Sequence, residues 1–219
     1  SHQRGAPVSQ RPVRPELQQV SLERDALATL ALAFYSFVVA IGFARVFSGW
    51  AFVADLAVLV VVGHGSSFLL RREGVNGWIA VPVTALVLTW ALAIYQYRPT
   101  TTWLVPGRAT WRQVRLDVGL VRDQFQTAVA PVIYEVGWAT LAGVAMIVVI
   151  VMADAFAFRA EARGEALVPG GVLFVFIAAL GSPRLRVVSS MLLIAAGIVA
   201  VVALRALHDR TRRIELVAG

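Results

Sequence analysis

An all-α, polytopic membrane helical bundle is the fold class this sequence predicts, with about six transmembrane helices and one amphipathic helix outside the membrane core. Composition is the first reason. Of 219 residues, 58% are hydrophobic and 15% charged, against the roughly 25% charge of a soluble domain, and mean hydropathy is +0.74. The second reason is that the apolar residues come in runs near the ~20 needed to cross a hydrocarbon core. These runs are rich in Ala, Val and Leu and lack strand-like alternation. Backbone groups in lipid must be bonded within their own segment, so the runs are helices.

Taken in order, SHQRGAPVSQRPVRPELQQV is rich in Pro, Gln, Ser and Arg and reads as a disordered cytoplasmic arm over 1–20. Ser1, standing where a methionine would begin a chain, reads as a processed or cropped start. In SLERD, Ser21 is placed to cap a helix whose first turn carries acidic residues. A transmembrane helical domain then occupies 21–207. Spans are expected at 26–47, 52–70, 75–97, 134–158 and 187–207, with a shorter one at 166–181. The first of these has too long an apolar core for a cleaved signal peptide, and ARVFSGW lacks a small-residue cleavage pattern. Residues 208–219 form a basic cytoplasmic tail.

The long connection 98–133 has a pattern of its own. Within ATWRQVRLDVGLVRDQFQTAVAP, Trp111, Val114, Val118, Val121 and Phe125 recur at spacings of three and four, opposite Arg112, Asp117, Arg122 and Asp123. That predicts an interfacial amphipathic helix over about 109–127, with Thr110 and Gln113 at capping-box spacing and Pro131 ending the run. Its apolar face either roofs the bundle or is a docking face for an extracytoplasmic domain or envelope ligand.

All twenty basic residues are arginine, and there is no cysteine. Disulfides, thiolate nucleophiles and cysteine-ligated metals are thereby excluded within these residues. A net charge of +7 and a pI near 11.1 would suggest nucleic acid in a soluble protein. Here the arginines flank apolar spans, so the expected partner is a bilayer with anionic lipids, not nucleic acid. With the N-terminus cytoplasmic, twelve of the twenty arginines fall inside, and five of the remainder lie in the long connection, which weighs less. Both termini are therefore expected on the cytoplasmic face of a multi-pass plasma-membrane protein.

Ionisable groups within spans are the candidate functional residues. Asp154 lies near the inner end of the fourth span, followed by Arg159, Arg163 and Glu165. By sequence spacing Asp154 points away from Arg159, so Arg163, or Arg71 and Arg72 of the facing inner loop, is the expected partner in a surface latch or a gating pair. Asp55 is expected to pair with Arg45. His64, in GHGSS, reads as a packed histidine bonding a neighbouring hydroxyl or backbone group, with a proton relay as the rival reading. The remaining histidines, His2 and His208, lie in the arm and tail, so no metal site is expected. Phosphate-loop, H-E-x-x-H and G-x-S-x-G patterns are missing from the sequence. VPGG at 168–171 opens an apolar span, with Pro169 in its first turn. These residues predict no catalytic group and no cofactor.

Three segments, TTTWLVPGRATWRQV, FQTAVAPVIYEVGW and ADAFAFRAEARGEALVPGGVLFVF, resemble in order the N-terminal membrane region of actinobacterial transglutaminase-like proteins of the TgpA type. The resemblance covers about 26–213. It implies that a multi-span membrane region precedes an extracytoplasmic domain bearing a Cys-His-Asp triad, with a further span beyond. These residues hold neither the cysteine nor such a domain, so the implied role is a non-catalytic anchor or scaffold. Its partners would be the missing C-terminal extracytoplasmic domain or other envelope proteins. A small transporter or channel, requiring Asp154, His64 and Thr84 to line one polar cavity, and a stand-alone envelope scaffold are the competing expectations.

Overall fold

The computed structural model describes residues 15–160, 162 and 164–218. Its helices are α1 (Pro15–Gly42), α2 (Ala51–Arg72), α3 (Gly77–Tyr97), α4 (Arg108–Gln124), α5 (Val136–Asp154), α6 (Val168–Leu180) and α7 (Arg186–Ala218). Among the described residues five stretches, Leu22–Arg45, Ala51–Arg72, Gly77–Thr100, Val136–Arg159 and Arg186–Leu207, are long and apolar enough to cross a membrane. The chain is an all-helical protein with the build of a multi-pass membrane protein. Large apolar side chains stay exposed around the rim, such as Leu30, Val61 and Leu86. In water such a surface would be an association site; around a bundle of this kind it is the lipid-facing wall.

Helix α1 starts at Pro15 rather than at Ser21, which lies within it. Proline suits a first helical turn because its fixed φ is already helical and its missing donor is one the helix would leave unpaired. The part of the expected arm before Pro15 lies outside the described residues. At the other terminus the backbone of the tail continues α7 to Ala218.

Two ends of the bundle can be told apart by their polar contacts. At one, α1 at Asp25, the end of α2 and the end of α5 meet around Arg71, and the start of α3 rests on Arg159. At the other, the turn after α1 carries Arg45, whose main chain and side chain meet Ser182 after α6. There a two-residue strand β1 (Phe47–Ser48) pairs parallel with β2 (Val132–Ile133), clipping the α1–α2 turn to the segment before α5. Between the ends lies a core in which Leu56, Leu88, Met146 and Ile150 are fully buried. Gly63 permits a close approach of α2 to α5: a Cβ there would stand 2.6 Å from Ile150 Cγ2. Helix α7 lies along α1, with Leu204 packed among Ala28 and Leu32.

The short apolar segment is a 3₁₀ turn, Glu165–Leu167, leading into α6, with Pro169 in the first turn. Ala166 packs against Ala28 and Ala153, while the far end of α6 reaches Arg45 through the carbonyls of Ala178 and Ser182. Thirteen residues cover only about 20 Å.

The long connection holds one strained turn. Thr102 and Val105 exchange backbone hydrogen bonds of 3.3 and 3.0 Å, leaving Trp103 and Leu104 as the two central residues with φ of 52° and 63°. Two-residue hairpin turns of this hand favour Asn-Gly, because other side chains resist the left-handed region. Trp103 is 94% exposed. Replacing the pair, Trp103→Asn with Leu104→Gly, should stabilise the protein by about 1–2 kcal/mol in a detergent melting assay. A lower melting temperature would mean that the exposed indole makes contacts worth more than the strain.

Candidate functional site

Helix α2 carries His64, Ser67 and Arg71 at spacings of three and four, so the three form one inward stripe. Each is directed to a different neighbour. His64 Nε2 lies 3.0 Å from Ser36 Oγ on α1, and Ser67 Oγ lies 3.2 Å from Thr84 Oγ1 on α3. Both pairs are buried. The hydroxyl partner expected for His64 is thus Ser36, while its Nδ1 has no hydrogen-bond partner.

Arg71 ends the stripe in a charge cluster. Its Nη1 donates to Asp154 Oδ1, its Nη2 donates to Thr29 Oγ1 at 2.7 Å, and its Nε lies 3.5 Å from Asp25 Oδ1. Thr29 in turn donates to the Asp25 carbonyl at 2.6 Å, and the guanidinium sits 3.7 Å over the Phe158 ring. One arginine therefore joins α1, α2 and α5 with a planar fork of donors, a geometry a lysine would not reproduce.

Asp154 is 2% exposed, which corrects the expectation of a surface latch. Its partner is Arg71, whereas Arg72 is exposed. The expected separation from Arg159 is also corrected. After α5 the chain winds into a π-turn, Ala155–Arg159, with Ala160 N–H donating to the Ala155 carbonyl at 3.0 Å. The wider turn carries Arg159 back towards the carboxylate, so that its Nε lies 4.0 Å from Asp154 Oδ2. Glu165 stands exposed. Arg163, with its expected role, lies outside the described residues.

At the opposite end Asp55 does not pair with Arg45. It accepts from Gln96 Nε2 at 2.5 Å and from the Tyr134 hydroxyl at 2.8 Å. Burial, then the hydrogen bond to Asp55 and its charge, push the Tyr134 phenol above its ordinary pKa. Arg45 is buried and instead donates from Nε to the Ser182 carbonyl at 3.0 Å and from Nη2 to the Ala178 carbonyl at 3.2 Å. A cation on the last carbonyls of α6 offsets the negative end of that helix, and this is why it dispenses with a carboxylate.

Helix α4 starts after Gly107, and Thr110 Oγ1 accepts the Gly107 N–H at 3.2 Å. The capping pair is therefore Gly107 with Thr110, and Gln113 bonds Asp117 at 3.0 Å instead. The expected docking face of Trp111, Val114, Val118, Val121 and Phe125 is not free as a unit. Val121 is buried against Gly137, and Phe125 stacks on Trp138 with centroids 6.0 Å apart. Val114 and Val118 are half-buried, and only Trp111 and Phe125 are exposed. Val121 and Phe125 of that face thus lie against α5.

Thr29, Asp25, Ser36 and Ser67 were not singled out by sequence reasoning. A signal was present for Ser67, since His64, Ser67 and Arg71 form a polar stripe in an otherwise apolar helix. Thr29 and Asp25 share the same four-residue spacing on α1. Among the described residues no group of three His, Asp or Glu could hold a metal ion. The groove that His64 and Thr29 line, ≈ 330 Å³ between α1 and α2, has apolar walls and includes neither Asp154 nor Thr84. No protein-family model, curated protein or solved structure matches this chain.

Proposed function

We propose that these residues are a non-catalytic membrane anchor and scaffold, the membrane portion of a transglutaminase-like cell-envelope protein whose catalytic groups lie outside them. The family assignment rests on the three resembling segments. The observation that supports an anchoring role is the charge cluster. Arg71 ties Asp154, Asp25 and Thr29 together across three helices, an arrangement suited to fixing helix positions. A transporter or channel would place Asp154, His64 and Thr84 on one wet path, whereas all three are buried and the groove that reaches His64 is apolar and includes neither of the others, which favours the anchor. The coding frame discriminates further. A Cys/His/Asp domain encoded downstream of Gly219 would support the anchor reading, and a stop codon soon after it would favour a stand-alone envelope scaffold.

The topology proposed is six crossings of the plasma membrane with both termini cytoplasmic, the sixth crossing being α6 with its 3₁₀ lead-in. Contacts of Ala166 with Ala28 and of Ser182 with Arg45 support it. Reporters active only in the cytoplasm should give signal when fused after Gly219 and none after Ser182. Signal from both would mean that the short segment re-enters without crossing, and a silent fusion at Gly219 would place the C-terminus outside.

A further inference from the structure

We infer that the cleft between the start of α3 and the π-turn after α5 holds the phosphate of one anionic glycerophospholipid, gripped by Arg159. The charge balance of the cluster is uneven. Arg71 has Asp154, Asp25 and Thr29 as partners, whereas Arg159 has only the 4.0 Å approach to Asp154, outside hydrogen-bond range. Its Nε and Nη2 are buried without a hydrogen-bond partner, as is the Nε of Arg71, and the Arg159 side chain is 16% exposed where it lines the cleft. A largely buried cation with unused donors is costly unless an anion approaches it.

The position of Arg159 sharpens the deficit. Its Cδ and Nη1 lie 3.3 Å from where a Gly77 Cβ would stand, so the guanidinium rests on the first residue of α3. That is the positive end of the helix dipole, where an anion is favoured, with the Trp78 N–H already donated to Asn76 Oδ1 at 3.1 Å. Two positive features thus face one another beside an open cleft of ≈ 670 Å³. Its apolar walls include Trp78, Val81, Pro82 and Phe156, with Asn76 and Arg159 as polar lining, and Trp78 is 90% exposed. A phosphate on Arg159 with an acyl chain along Val81 and Pro82 uses both parts, and an exposed indole at a span's end suits the headgroup layer. A free phosphate would leave the apolar wall unused.

This inference rests on the multi-pass membrane reading and adds a defined lipid site to it. The test is native mass spectrometry of the intact chain in detergent with added dioleoylphosphatidylglycerol or dioleoylphosphatidylcholine. One phosphatidylglycerol should be retained with about tenfold preference over the zwitterionic lipid. Arg159→Gln should remove the preference, and Val81→Trp should block the cleft while keeping the arginine. Arg184→Gln, exposed at the other end, should leave the preference intact. Equal retention of the two lipids, or a preference that survives both Arg159→Gln and Val81→Trp, overturns the inference. So does full competition by inorganic phosphate, which would mark an anion site with no lipid component. Absence of any preference in the unaltered chain, with the reporter topology as expected, would sink this inference and leave the membrane reading standing.

Discussion

Asp154→Asn is expected to destabilise the bundle by about 3–5 kcal/mol, the scale for breaking a buried charge pair, rather than the ~0–1 kcal/mol of an exposed one. The carboxylate is 2% exposed and faces Arg71 directly, with Arg159 behind it. Removing its charge leaves Arg71 with only the partly exposed Asp25 and leaves Arg159 with no nearby carboxylate among the described residues. In detergent the melting temperature should fall by about 10 °C. Glu165→Gln, at an exposed position, should change it little. A double variant, Asp154→Leu with Arg71→Met, should recover a substantial part of the loss, because replacing both partners removes the uncompensated charge. A drop of under 1 kcal/mol in Asp154→Asn would show that water reaches the pair and restore the surface-latch reading.

Gly137→Ala tests the roof. A Cβ on Gly137 would meet Val121 Cγ2 at 2.6 Å and the Asp117 carbonyl oxygen at 2.7 Å. The side chain could yield, but the second contact is backbone, so α4 itself must move. The expected cost is about 1–3 kcal/mol, the range for overpacking a tight contact. Because the strain falls on one interface, it should appear locally. Trypsin should cut sooner after Arg112, Arg115 and Arg122 on α4, while cleavage elsewhere keeps its rate. Unchanged cleavage and melting would mean that α4 is not held on α5 as described.

The parts of the fold that hydropathy controls were legible in the sequence. Spans of about twenty apolar residues and the 3.6-residue rhythm of α4 follow from what lipid and interface demand locally. Contacts set by exact backbone path were not. The clip of Phe47–Ser48 on Val132–Ile133 is two residues long and joins segments 85 positions apart, too short to leave a pattern. Regular helical spacing beyond Asp154 misplaces Arg159, and the i to i+5 bond of Ala160 reveals the wider turn. Asp55 was matched to Arg45 by proximity along the chain, yet Arg45 is taken up by helix carbonyls and Asp55 by Gln96 and Tyr134. Arg71 was among the partners considered for Asp154, and helix geometry selected it from that set.

The charge cluster also sets conditions on how the protein is made. A ribosome delivers the helices one at a time, and Arg71 emerges 83 residues before Asp154. During that interval the growing chain carries a guanidinium at the end of its second helix without the carboxylate that later neutralises it. Asp25 and Thr29, both already synthesised and both within the final reach of Arg71, supply a provisional counter-ion and acceptor. The first two helices can thereby enter the bilayer as a nearly neutral pair. Arrival of the fifth helix then adds Asp154 to a pairing that the finished fold retains.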